Sequence, residues 1–348
     1  MPLCKLYYNK LDICISVLYN KIKNIDEVIG IGLNNMNKYM LTALKALSHV
    51  DIKKNYKLIR QAYLIAKKPR IKLTYQTWDY FVNNNGYSVP VRIFSPASKK
   101  IKGIDIKKYP CIVFLHGGGW VTEDVDTYEK TCLTISRKTG HIVICVDYRL
   151  APENPFPVAL TDCYNVVRAV IRWHKVSGVP HKITLMGDSA GGNLAAAVSL
   201  YMRDKGEKIV DRQILIYPAT YNNHTETSPF PSVVENGTDY ILTSKHISDY
   251  LDLYCGGEEA RKSPYCAPLL TDDFSNQPET LIITAEFDPL RDEGEEYGRK
   301  LKEAGNPVTV KRVKNAMHGY FTLSANYSAV KESYNIINEF LGRNQSDE

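Results

Sequence analysis

Apolar residues recur along this chain with two different periods, and the change of period divides it. From residue 9 to 67, side chains such as Val28, Ile31, Leu33, Met36, Met40, Leu41, Leu44 and Leu47 return every three or four positions, the spacing of a helix with one buried face. From Ile71 onward short runs rich in β-branched residues take over. The runs at 72–78 and 89–94, separated by Asn83-Asn84-Asn85-Gly86, predict an antiparallel hairpin. Further strand-like runs lie at 111–115, 141–147, 182–186, 212–217, 280–285 and 308–313, with helix-like stretches between them. Strands that alternate with helices form a mostly parallel sheet covered on both faces, so the pattern predicts an α/β domain of eight strands. The stretch between 217 and 280 exceeds what one crossover needs. It holds the turn-prone Thr220 to His224 and an amphipathic segment from Ser244 to Tyr254, and reads as an inserted helical cap. The plan is then a helical segment 1–70, a sheet domain 71–219 and 276–348, and a cap insertion 220–275.

Composition changes this picture little. With 44% hydrophobic and 24% charged residues over 348 positions, the chain is an ordinary globular protein with room for one large core and a cap. Residues 1–70 carry 13 Lys or Arg against 4 Asp or Glu, but no nucleic-acid motif accompanies them; the surplus reads as a solvated helix face, and no nucleic-acid partner is expected. The eight cysteines are scattered without C-x-x-C spacing, which argues against a zinc site and fits reduced thiols in a cytoplasmic protein. The apolar run Leu11 to Tyr19 is too short to span a bilayer and lacks a cleavage signal, so no stable membrane anchor is expected.

Candidate chemistry concentrates at the ends of predicted strands. Gly187-Asp188-Ser189-Ala190-Gly191 follows the run 183–186 and opens into helix-forming residues, a G-x-S-x-G turn that pushes the Ser189 hydroxyl out at a sheet edge. Gly187 and Gly191 fit where a Cβ would block close approach of strand and helix. Upstream, His116-Gly117-Gly118-Gly119-Trp120 follows the run 111–115. Its glycines can turn backbone N–H groups toward a carbonyl oxygen that becomes an oxyanion, and the N–H of Ala190 adds a further donor. Gly117, Gly118, Gly119 and Ala190 are the oxyanion candidates. A hydrolase of this kind needs an acid and then a histidine in chain order after the serine. Asp288 lies just past the run 280–285, with Glu286 and Asp292 as lower-ranked rivals, and of eight histidines only His318 follows it. Asp188 precedes the serine and reads as a brace of the turn.

These residues resemble the hormone-sensitive-lipase-like branch of the α/β-hydrolase fold, a family of carboxylesterases and lipases. The resemblance rests on HGGG at 116–119, DYRLAPE at 147–153, GDSAGGN at 187–193, DPLRDEG at 288–294 and HGY at 318–320. It covers the sheet domain well and the first 70 residues loosely. It implies an eight-stranded, mostly parallel sheet flanked by helices under a two-part helical cap, and a serine carboxylesterase with the triad Ser189, Asp288 and His318. Such an enzyme uses neither metal nor organic cofactor, and takes a small-molecule ester of short to medium acyl length. Trp120, Tyr217 and Phe287 adjoin the motifs and are expected to line the substrate pocket or to be core aromatics. Two alternatives stay open: a non-catalytic small-molecule receptor on the same fold, against which His318 argues, and hydrolysis of an amide, thioester or lactone. A homodimer is one option for its assembly.

Overall fold

The computed structural model describes residues 49–66, 77–96, 109–178, 182–207, 210–238 and 240–342. Most of the helical segment expected at 9–67, and residues 72–76 of the expected first strand, lie outside the described residues. What is described begins with helix α1 (Ile52–Ala66), then strands β1 (Thr77–Asn84), β2 (Tyr87–Phe94) and β3 (Cys111–Leu115). Helix α2 (Glu129–Thr139), β4 (Ile142–Val146), α3 (Val158–Ser177), β5 (Ile183–Asp188), α4 (Ala190–Asp204) and β6 (Arg212–Ile216) follow. Beyond them come the short α5 (Pro231–Glu235), α6 (Ser244–Cys255), the short α7 (Glu258–Arg261), β7 (Glu279–Phe287), α8 (Arg291–Glu303), β8 (Val308–Met317) and α9 (Ser328–Leu341).

The eight strands form one sheet in the order β1-β2-β4-β3-β5-β6-β7-β8. The pairs β1–β2 and β2–β4 are antiparallel and the rest parallel. Alternate residues of β3 feed opposite cores: Val113 and Leu115 pack with α3, α4 and α8, whereas Ile112 and Phe114 pack with α2 and α9. All five residues of β3 are buried, which is why it reads as an unbroken apolar run rather than an alternation. The chain order reverses about β3, with β4 on one side and β5 on the other. In an open α/β sheet the crevice beyond the strand ends at such a point accepts ligands. The loops after β3 and β5, which carry 116–120 and 187–191, both open there.

Two boundaries differ from expectation. The hairpin turns at Asn85-Gly86 and not across 83–86: both turn residues have positive φ, 47° and 90°, as a two-residue hairpin of this hand requires. Asn83 and Asn84 are left to the strand, and the buried Asn84 amide donates to Asp162 at 2.6 Å. Strand β8 runs four residues past 313, through an irregularity opposite Ala285 and Phe287. There Asn315 takes a φ of 55° and its N–H donates to the Glu286 carboxylate at 2.7 Å. That extension carries the chain to His318.

The insertion after β6 is tied at its root. Fully buried Glu293, on α8, accepts the N–H groups of Thr220 and Tyr221 at 2.6 and 3.1 Å and meets His224 Nε2 at 2.6 Å. Asn193, one turn after the serine, donates its amide to the carbonyls of Ala219 and Cys266, both at 2.8 Å. Helix α1 lies against α6: Lys53 pairs with Asp249 and Asp252, and His246 Nε2 donates to the Val50 carbonyl at 3.0 Å. Its other contact reaches the sheet domain, where Arg60 forks onto Glu153 and donates to the carbonyls of Val121 and Ala151 at 2.6 Å each. Among the described residues no helix is long and apolar enough to cross a membrane.

Candidate active site

The turn between β5 and α4 holds Ser189 at φ 55° and ψ −119°, a region that costs an L-residue about 1–3 kcal/mol and persists only where neighbours over-determine it. They do so here. The Ser189 N–H donates to Ile216 at 2.9 Å, and its carbonyl accepts from Asn193 at 3.0 Å and Ala219 at 3.4 Å. A Cβ on Gly187 would run into the backbone of Gly191, and one on Gly191 into the carbonyl of Leu115 at the end of β3. The two glycines thus let helix α4 start hard against the sheet.

His318, just past β8, faces the serine. Its Nε2 lies 2.8 Å from Ser189 Oγ and its Nδ1 lies 2.7 Å from Asp288 Oδ2. The other oxygen of Asp288 accepts the Leu290 N–H at 2.9 Å, and the carboxylate is completely buried. Because a carboxylate accepts, the proton sits on Nδ1 and Nε2 is left to take the serine proton. The rival acids are engaged elsewhere: Glu286 holds the Asn315 N–H, and Asp292 pairs with Arg291 at 2.7 Å and accepts the Ser232 N–H at 2.7 Å.

Asp188, adjacent to the serine, points the other way. Its Oδ2 accepts from Tyr128 Oη at 2.9 Å and Tyr217 Oη at 3.3 Å. Burial pushes this carboxyl up to about 6, with the Tyr128 hydrogen bond pulling against it. Tyr128 Oη in turn accepts the N–H of Gly117 at 3.1 Å. That bond removes Gly117 from the expected oxyanion donors, since its N–H is already spent beneath the loop. Gly118, Gly119 and Ala190 do face the crevice, and Ala190, as the first residue of α4, has no intrahelical acceptor for its N–H. Positive φ at Gly118 (100°) and Gly119 (61°) turns that part of the loop.

A cavity of about 420 Å³ opens over Ser189 and His318. Its wall combines the 118–123 loop with Val50, Ile52 and Ile59 from around α1 and with Leu242, His246, Ile247 and Tyr250 from around α6. Trp120 lines it, stacked on buried Tyr254 at 4.6 Å. Tyr217 and Phe287 do not. The positive φ of Tyr217 (34°) turns its ring under the imidazole, 4.7 Å from His318. Phe287 precedes Asp288 at a strand end, and successive side chains point to opposite faces, so with Asp288 turned to the site Phe287 stacks on Tyr240 at 5.8 Å. Tyr128, Glu123, His246 and Tyr250 were not anticipated. No spacing in the sequence joins them to the serine, because the loop between β3 and α2 brings Glu123 and Tyr128 there and α6 brings His246 and Tyr250. Among the described residues no group of three metal-ligating side chains converges.

An open α/β sheet with a serine elbow and a facing Asp–His pair defines a hydrolase class, and the comparisons agree. Residues 112–322 match the family described as alpha/beta hydrolase fold. An arylesterase of Saccharolobus solfataricus is 34% identical over 247 residues, covering 70% of this chain and 77% of its own. Esterase LipI of Mycobacterium tuberculosis is 35% identical over 233 residues, 66% of this chain and 72% of its own. Among solved structures, a hyperthermophilic esterase from Pyrobaculum calidifontis superposes with a TM-score of 0.74 at 32% identity, covering 88% of this chain and 97% of its own. The chain belongs to the α/β-hydrolase fold family, in its hormone-sensitive-lipase-like branch of carboxylic ester hydrolases.

Proposed function

We propose that the protein is a serine carboxylesterase that works through an acyl-enzyme. Ser189 Oγ attacks the ester carbonyl as His318 Nε2 takes its proton, and Asp288 holds the imidazole and stabilises the imidazolium. The tetrahedral oxyanion takes hydrogen bonds from the N–H groups of Gly118, Gly119 and Ala190. His318 then protonates the departing alcohol, and in the second half it draws a proton from water as water attacks the acyl group. The observation that carries this reading is the relay from Asp288 through His318 to Ser189, at 2.7 and 2.8 Å, opening into the cavity. The same relay weighs against a receptor, which needs no proton acceptor on its serine. Amides, thioesters and lactones can use identical machinery, and the likeness to an arylesterase and to esterases favours the ester. A cytoplasmic setting is part of this reading, on the scattered spacing of the eight cysteines in the sequence. We assign the cap role to α1 and the 220–275 insertion together.

A cavity of about 420 Å³ favours short acyl chains. Each methylene that fits adds about 0.8 kcal/mol of burial, and one that overfills costs roughly 1–3 kcal/mol. Across p-nitrophenyl esters, kcat/KM is expected to rise or hold to about four to six acyl carbons and fall steeply beyond. A maximum at about ten carbons or longer would replace this reading with a lipase open to lipid. No hydrolysis anywhere in the series would remove the esterase reading itself.

A further inference from the structure

Two N–H groups of the proposed oxyanion hole belong to Gly118 and Gly119, and the peptide unit joining these residues is held at both ends. Its carbonyl, on Gly118, accepts the N–H of Val121 at 3.1 Å, the N–H of Thr122 at 2.8 Å and the Thr122 hydroxyl at 2.9 Å. In a trans peptide the C=O and the following N–H share one plane and point opposite ways, so these bonds also set the direction of the Gly119 N–H. The other end of the unit meets α6. A Cβ built on Gly119 would stand 2.5 Å from both Cγ and Cδ1 of Tyr250 and 2.8 Å from Cδ2, so the ring lies against the bare Cα. The same side chain reaches toward the carbonyl end through its hydroxyl. Burial pushes this hydroxyl up to about 12, and the Thr122 hydroxyl beside it pulls the other way. Helix α6 is in turn anchored to α1 by Lys53 on Asp249 and Asp252 and by His246 on Val50.

A backbone donor speeds the reaction only while it is aimed at the place where the oxyanion forms, and a misplacement of about 1 Å can cost about 10²-fold. Glycine at a φ of 61° has the freedom to rock and no side chain by which to be held. We propose that Tyr250 is a positioning residue, through which the cap holds the Gly118–Gly119 peptide at the angle that points the Gly119 N–H at the oxyanion. The proposal rests on the esterase reading above, and it makes the cap part of the rate-enhancing apparatus as well as a wall of the pocket. Acylation and deacylation both pass through a tetrahedral oxyanion, so a tilted peptide slows both and lowers kcat whichever step limits it. A residue that only lines the pocket acts instead on KM and on the preference for acyl length.

The test is a double-mutant cycle of Tyr250→Ala and Gly119→Ala, read as kcat and KM on p-nitrophenyl acetate and butyrate, with far-ultraviolet circular dichroism to show that each variant is folded. Tyr250→Ala is expected to lower kcat by about 30-fold on both esters while KM stays within about 3-fold. Tyr250→Phe keeps the ring and drops the hydroxyl, and should lose only about 3-fold in kcat. In the wild type, Gly119→Ala drives its methyl into the ring and should lower kcat by about 30-fold or more. In the Tyr250→Ala background that collision is absent, and the same methyl should cost about 10-fold less; the strain of alanine at a positive φ is common to both backgrounds and cancels. Losses that simply multiply, a folded Tyr250→Ala with near-native kcat, or a loss confined to KM, overturn the proposal. Tyr250→Ala is expected to fold, because the residue borders the cavity and alanine favours a helix. Should it not, Gly119→Ala decides alone: a kcat loss with KM nearly kept supports the proposal, and near-native kcat in the folded variant overturns it. A wild type that hydrolyses neither ester would defeat the esterase reading and the proposal with it, whereas the other adverse outcomes, in an active wild type, strike the proposal alone.

Discussion

Replacing Ser189 by alanine is expected to lower kcat by roughly 10⁴-fold or more, with His318→Ala similar and the double variant little worse than either. The reason is the relay itself. His318 Nε2 contacts the serine oxygen at 2.8 Å, and without that acceptor the hydroxyl is a poor nucleophile, while without the hydroxyl the imidazole has nothing to activate. Two groups that act in one step cannot have additive effects. Steady-state kinetics on p-nitrophenyl butyrate for the three variants measures this, with far-ultraviolet circular dichroism to show that each is folded. Near-native turnover in either single variant would overturn the assignment.

Asp288→Asn carries the second largest effect, roughly 10³- to 10⁴-fold in kcat, and its cause is directional. Asp288 uses one oxygen for the Leu290 N–H and the other for His318 Nδ1. Asparagine has a single carbonyl oxygen. The backbone N–H of Leu290 cannot be moved, so the oxygen goes there and the NH₂ faces the imidazole. The imidazole must then present a lone pair at Nδ1 and carry its proton on Nε2, where it can no longer take the serine proton. KM should change little. Glu286→Gln and Asp292→Asn serve as comparisons, because those carboxylates are held by Asn315 and by Arg291 with Ser232. A larger loss at either of them than at Asp288 would move the acid role.

Residues whose job depends on local backbone sterics were legible in the sequence. Gly187 and Gly191 announce the elbow because no other residue tolerates the approach of α4 to β3 and β5. Asp288 and His318 follow from chain order and from the strands before them. Side-chain direction at a strand end was not legible. Tyr217 and Phe287 adjoin the right motifs, yet the φ of one and the alternation of the other turn them out of the cavity. Gly117 looks equivalent to its two neighbours in a run of glycines, and only the Tyr128 hydroxyl, eleven residues away, separates them. Glu123 was hidden for a like reason. Nothing in a Thr-Glu-Asp string signals a left-handed backbone facing the crevice.

The placement of β8 is expected to decide when activity returns during folding. This strand comes late in the chain and lies at the edge of the sheet, where it pairs with β7. The hydroxyl and imidazole that must meet are 129 residues apart, whereas the imidazole and carboxylate are 30 apart. Contacts of long sequence separation form slowly, and an edge strand can dock onto a sheet already built. On refolding from urea, esterase turnover is expected to lag behind the return of backbone circular dichroism, and a chain released before β8 would be folded in its centre yet silent. Coincident recovery of both signals would mean that the edge forms together with the middle.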